Sequence, residues 1–237
     1  MKAKDEDEIR LARRELLKLS PLLALSAFAV PSVQQRALTI GSETSSSVLA
    51  AVGSNTLAPT FAKSELTPFE LFPVNSYLTE DPGVDPQSWR LTVSGALSNP
   101  GEYTLAQIRA LPRVEQITQH ICVEGWSVIG SFAGARVSDF LKLVGAAPDA
   151  RFLHWDCADD YYEFLELPAA NHPQTLLSYE MYGQPLTPAH GFPLRLQMPT
   201  KLGYKQAKYL VELRVTRFLE KRRGYWVDQG YPAFGGL

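Results

Sequence analysis

Short runs in which apolar and polar residues alternate, cut apart by proline and glycine, restrict this chain to a strand-rich body. Residues 89–95 read Trp-Arg-Leu-Thr-Val-Ser-Gly, the period of a half-buried strand. Residues 114–123 alternate again, with Ile117, Ile121 and Val123 spaced for one face and Cys122 on the opposite face at the strand's end. Residues 151–156 and 194–198 read as further strands, and Val211, Leu213 and Val215 alternate in the last clear one. Helices are few and short. Thr104 is a plausible cap for a helix reaching Leu111, where Pro112 stops it, and Ser138 to Val144 predicts a capped helix with Gly145 just past its end. Strands do not alternate with long helices, so a doubly wound parallel sheet is excluded and a mixed α+β fold is expected.

The N-terminus follows different rules. Arg13 and Arg14 precede Leu16, Leu17 and Lys18, and an apolar stretch of twelve residues runs over 19–30, past the small residues Ala27 and Ala29. Twelve is too few to span a bilayer, which needs about 20. Residues 1–29 therefore predict a signal peptide of the twin-arginine type and a periplasmic protein, membrane-associated if the signal is retained. That route carries proteins already folded around a cofactor. Residues 30–64, rich in Ser, Thr and Ala, read as a linker or extended arm, and 65–237 as the folded domain.

A net charge of −2 over 237 residues argues against nucleic acid as a partner. The only cysteines are Cys122 and Cys157. In an exported chain an even count suggests a disulfide, and a non-catalytic binding module closed by a Cys122–Cys157 bridge is one reading of them. The other begins from what surrounds Cys122. It follows His120 and precedes Glu124-Gly125-Trp126, and some seventy residues later the chain is dense in cations: His190, Arg195, Lys201, Lys205 and Lys208. Nearby cations would lower the thiol's pKa, and a thiolate prefers soft metals. No His-x-x-His or Cys-x-x-Cys accompanies Cys122, so further donors would come from a bound organic group. A phosphate on that group would suit the fork of Arg195, with Lys205 and Lys208 as point charges, while Gly203 lets the backbone approach.

From about residue 68 to 231 the chain resembles the sulfite oxidase family of molybdopterin oxidoreductases. The segments that carry the likeness are His172-Pro173, residues 176–186 (Leu-Leu-Ser-Tyr-Glu-Met-Tyr-Gly-Gln-Pro-Leu), His190-Gly191-Phe192-Pro193-Leu194-Arg195, and the closing Gly224-Tyr225-Trp226 with Gly230-Tyr231. The resemblance implies a strand-rich α+β molybdopterin-binding fold and a molybdenum–molybdopterin cofactor. By position, Cys122 matches the thiolate that binds molybdenum. His190, Arg195, Tyr204, Lys205, Gln206, Ala207 and Lys208 match the pterin and phosphate contacts, and Asn75, Ser76 and Tyr77 an early cofactor-lining segment. Cys157 and Asp159 fall where another contact is expected, and Tyr161 falls near the family's active-site tyrosine.

The run after the cysteine, Val123-Glu124-Gly125-Trp126-Ser127, resembles the periplasmic branch that repairs methionine sulfoxide. An acidic, aromatic wall repels sulfite. Asn75 also agrees with that branch, whereas His190 agrees with the oxidases. The implied activity is two-electron oxygen-atom transfer with a small sulfoxide-type substrate, Tyr161 hydrogen-bonding the transferred oxygen. The alternative is a dehydrogenase of sulfite or another sulfur compound. The resemblance further implies a monomer, since the oxidases' dimerisation domain is missing. Without a haem-attachment or dinucleotide motif, it also implies a separate haem- or quinone-linked redox partner.

Overall fold

The alternating runs pair into two sheets in a computed structural model that describes residues 56–76 and 82–236. The expected signal peptide at 1–29, most of the 30–64 arm and Tyr77 lie outside the described residues. In the first sheet β1 (Leu91–Gly95) pairs antiparallel with β2 (Gly101–Tyr103) and parallel with β10 (Leu210–Thr216). β10 runs antiparallel to β5 (Phe152–Cys157), which pairs with β6 (Tyr162–Glu166). The second sheet is antiparallel throughout. β3 (Arg113–Ile121) pairs with β4 (Ser127–Arg136), and β4 with β7 (Leu176–Met181). β7 in turn pairs with β8 (Gln184–Pro185) and β9 (Arg195–Gln197).

Among the described residues four short α-helices fill connections. α1 (Leu105–Arg109) starts at a capping box: the Gln107 amide donates to Thr104 Oγ1 and the Thr104 amide to Gln107 Oε1. α2 (Val137–Val144) begins one residue before Ser138, with no side-chain cap, because β4 feeds straight into it and the Val137 amide donates to Thr175 O. It ends at Gly145 in the left-handed conformation, φ 66°. α3 (Leu167–Ala170) and α4 (Tyr225–Asp228) are single turns.

Both sheets send their apolar faces into one core. Leu91, Val93, Leu153, Trp155 and Leu213 from the first sheet meet Leu177 and Leu196 from the second and Leu194 just before β9, and α2 adds Phe140, Leu141 and Val144. The β4–β7 pairing shifts register between Ala133 and Gly134. A Cβ on Gly134 would lie 2.1 Å from the Leu177 carbonyl oxygen. Gly134→Ala should therefore force the strands apart and cost about 1–3 kcal/mol or more of stability, the range of overpacked cores. Chemical denaturation of the variant checks this.

β3 is unusual in which of its faces is buried. Gln116, Thr118 and His120 point inward, while Ile117 and Ile121 are half-buried. Inward means toward polar partners: Gln116 Nε2 donates to Gln174 O at 2.9 Å, and His120 Nδ1 meets Gln206 Oε1 at 3.1 Å. The described end of the 30–64 segment runs as an arm along the strand's outer edge, with Thr60 bridged to Thr118 and the Phe61 amide donating to Ile117 O. Cys122 continues the inward-facing set one residue past the strand.

Candidate active site

The turn from β3 to β4 fixes Cys122. Its amide donates to Trp126 O at 2.9 Å and its carbonyl accepts from the Gly125 amide at 3.1 Å, with Gly125 at φ 93°. Two groups approach the sulfur, Asn75 Nδ2 at 3.7 Å and Glu124 Oε2 at 3.8 Å. The same Glu124 oxygen accepts from Asn75 Nδ2 at 2.9 Å and Trp126 Nε1 at 3.0 Å. Those two donors hold the Glu124 carboxyl below its usual range. Burial, with Glu124 beside it, pushes the Cys122 thiol up, not down. The expected lowering by cations is thereby corrected: the charge touching the sulfur is a carboxylate. A bound soft cation reverses that balance, since a coordinating thiol is deprotonated outright.

Cys122 opens into a cleft of about 210 Å³. Its far wall is built by β9 and by residues 203–208. Arg195 is 4% exposed; its Nη1 donates to His190 O at 3.1 Å and Nη2 to Gln206 O at 3.4 Å. The guanidinium also lies 5.1 Å from the Phe132 ring centroid. Among the described residues no carboxylate lies within ion-pairing distance of it, and its buried Nε has no partner. Burial pulls its pKa down to about 10. A buried guanidinium in this condition is costly unless an anion joins it.

Gln206 links the walls. Its Nε2 donates to Lys201 O, so Oε1 is left to accept from His120, whose Nδ1 then carries the proton. Burial and Arg195 hold His120 neutral, its pKa down to about 3. A Cβ on Gly203 would stand 2.9 Å from His120 Nε2, so the backbone passes where a side chain has no room. At the rim Lys208 Nζ donates to Ser76 Oγ at 3.2 Å and Ala189 O at 3.0 Å. Burial, Arg195 and Lys208 together bring His190 down to about 4.

Asn75, Ser76, Cys122, Asp159, Tyr161, His190, Arg195, Tyr204, Gln206, Ala207 and Lys208 all line this cleft. Two residues expected there, Lys205 and Cys157, do not. Lys205 turns away from it and pairs with Glu163, both side chains fully buried, while Nζ also donates to Phe164 O at 3.1 Å. It is not a point charge for a phosphate. Lys201 likewise pairs with Glu166. Cys157 packs in the apolar core, because it is the last residue of β5 on the inward face. Both cysteines are free thiols, which removes the disulfide-closed module. Tyr161 reaches the cleft, but its hydroxyl donates to Tyr204 O at 2.6 Å, so its proton does not point at the thiol. Phe72, His120, Trp226 and Tyr231 also line the cleft and were not assigned to the site from sequence, whereas Glu124 and Trp126 line it as the expected acidic, aromatic wall. Trp226 and Tyr231, 5.2 Å apart, belong to the Gly224-Tyr225-Trp226 and Gly230-Tyr231 pattern, which was the available signal.

Among the described residues no group of three or more His, Cys, Asp or Glu could hold a metal. A metal at Cys122 has to bring its other donors with it. The model of the oxidoreductase molybdopterin binding domain matches residues 78–226, well over half of the chain. The chain belongs to that family. It is an oxidoreductase, and its cofactor is a molybdopterin. The site fits the group: a lone inward thiol, a buried arginine short of an anion, and a glycine that lets the backbone close in.

Relatives narrow the likeness. A putative protein-methionine-sulfoxide reductase subunit of Azospira oryzae is 48% identical over 77% of this chain and 69% of its own length. The catalytic subunit of a protein-methionine-sulfoxide reductase from Xanthomonas campestris is 33% identical over 56% of this chain, and the one from Campylobacter jejuni 27% over 63%. The chain spans about half the length of these two catalytic subunits, 45% and 55%. In solved structures the fold matches the sulfane dehydrogenase SoxCD of Paracoccus pantotrophus, with TM-score 0.55 and 19% identity over 59% of this chain and 41% of that one.

Proposed function

We propose that this molybdopterin oxidoreductase removes the oxygen of a small uncharged sulfoxide by two-electron reduction. The observation that carries the reading is Glu124. Its carboxylate stands 3.8 Å from the Cys122 sulfur and is kept charged by Asn75 and Trp126. An anion such as sulfite meets like charge there, while a dipolar sulfoxide meets an amide donor and aromatic faces. The names of the relatives from Azospira, Xanthomonas and Campylobacter point the same way.

When bound, the cofactor supplies two-electron redox chemistry at its metal. The chain's own residues do the rest. Cys122 would offer the metal a protein sulfur, Arg195 and Lys208 would hold the anionic end of the cofactor, and Gly203 would let it lie between the walls. Reducing a sulfoxide to a thioether and water takes two protons. Asp159, on the cleft wall, is the carboxyl that burial pushes toward its protonated form. Tyr161 can accept a hydrogen bond through its oxygen while its proton stays with Tyr204 O. Electrons come from a separate haem- or quinone-linked protein, and the twin-arginine pattern of residues 1–29 supports assembly in the cytoplasm followed by export to the periplasm.

Turnover of methionine sulfoxide, dimethyl sulfoxide and sulfite with an artificial electron carrier tests the reading. Sulfoxide reduction well above sulfite oxidation supports it, and the reverse ranking replaces it with a sulfur-compound dehydrogenase. Glu124→Lys should raise the ratio of sulfite to sulfoxide turnover by about tenfold or more, because removing one like-charge contact is worth upward of about 1.4 kcal/mol.

A further inference from the structure

Five of the six residues in 203–208 face the cleft, and Lys205 is the exception. It closes a 3-10 turn (Gly203–Lys205) whose amides are tied locally, Lys205 N to Leu202 O and Gln206 N to Gly203 O. Its side chain runs behind the cleft wall to Glu163 on β6, with Nζ donating to Phe164 O and sitting 4.2 Å from the Phe164 ring centroid. The same carboxylate meets a second wall. A Cβ on Gly224 would fall 1.5 Å from Glu163 Oε1, so the chain at Gly224 is pressed directly onto the pair. Two residues on, Trp226 turns back into the cleft, followed by Tyr231.

We propose that Glu163 and Lys205 are positioning residues for the molybdopterin cofactor, a buried pair that sets the spacing between the 203–208 segment and the Trp226–Tyr231 wall. Neither touches the cofactor's cleft. A buried ion pair is poor support for stability, because its desolvation offsets most of its attraction and apolar substitutes of equal volume are often as stable. What it adds is direction: Lys205 Nζ must reach the Glu163 carboxylate at ion-pair distance while donating to the Phe164 carbonyl, whereas apolar side chains pack at many offsets. An offset at Lys205 moves Gln206, Ala207 and Lys208 with it, since they follow in an unbroken run that also pairs Leu196 N with Ala207 O.

The test uses the full chain isolated with its cofactor, and this inference rests on that cofactor being present. Glu163→Gln combined with Lys205→Met removes both charges at nearly constant volume. The expected result is a thermal midpoint close to that of the cofactor-free unaltered protein, with molybdenum and pterin per chain reduced about tenfold or more, the scale of lost supporting contacts around a metal site. Full cofactor content in the double variant overturns the proposal, as does a thermal midpoint well below that of the cofactor-free unaltered protein. If the double variant does not fold, amide hydrogen exchange on the unaltered chain decides. With the anchor behind the wall, the amides of 203–208 should keep their protection when the cofactor is absent. Exchange about 100-fold faster on cofactor removal would mean that the cofactor orders the segment, and the pair does not. An unaltered chain that never carries molybdenum would instead sink the cofactor reading itself.

Discussion

Cys122→Ser is expected to abolish turnover while leaving the fold intact. The hydroxyl is a harder and less acidic donor than the thiol, and a soft metal discriminates against it. Loss of a supporting contact around a metal costs about 10- to 100-fold in affinity or activity, and the direct ligand should cost more than about 100-fold. The fold has little at stake in the sulfur. Its contacts, Asn75 Nδ2 at 3.7 Å and Glu124 Oε2 at 3.8 Å, are long, and the turn is held by backbone bonds that serine keeps. Activity per chain should collapse with the thermal midpoint nearly unchanged. Pterin should stay bound, since its anionic end is held by the opposite wall. A variant that keeps more than a tenth of the activity would remove Cys122 from the metal's coordination.

Arg195→Met should behave in the opposite way, lowering cofactor content rather than the chemistry of what remains. Truncating one side of a desolvated, hydrogen-bonded charge pair costs about 2–5 kcal/mol, roughly 30- to 4,000-fold in affinity. Without cofactor the balance changes. The unaltered chain keeps a buried guanidinium with no carboxylate partner among the described residues, and methionine relieves that desolvation. The His190 and Gln206 carbonyls each lose a donor in exchange. The cofactor-free variant should therefore melt close to the cofactor-free parent, although the loaded parent melts well above both through mass action. Thermal unfolding of the four preparations separates an anion-binding arginine from one that merely fills the core.

β1, β3 and β10 were legible through one wetter face, while β5 and β9, almost or wholly buried, read as short apolar runs. β4 was not, because its second half is buried on both faces around Gly134, at the centre of the second sheet, where period-2 contrast disappears. β7 was not read as a strand although Leu177 to Met181 alternate, a signal as strong as that of β1. At the site, Cys122 and Arg195 were legible because few chemistries call for a lone thiol and a distant cationic run together. His120 was hidden as a polar residue on a strand whose isoleucines suggested the other face. Trp226 and Tyr231 were hidden because only the path of the chain after Gly224 brings them to the cleft.

The order of residue types along the chain determined the class of fold, the candidate ligand and the need for an anion-bearing partner group, because alternation, soft-donor chemistry and cation density are local properties. Only the tertiary structure decided which cations serve that group. Lys205 and Lys208 are three positions apart and chemically identical, yet a single 3-10 turn sends one inward to Glu163 and leaves the other at the rim beside Ser76. Backbone direction at a turn depends on what the neighbouring elements leave room for. That is settled by packing across the two sheets, not by the residue's own chemistry.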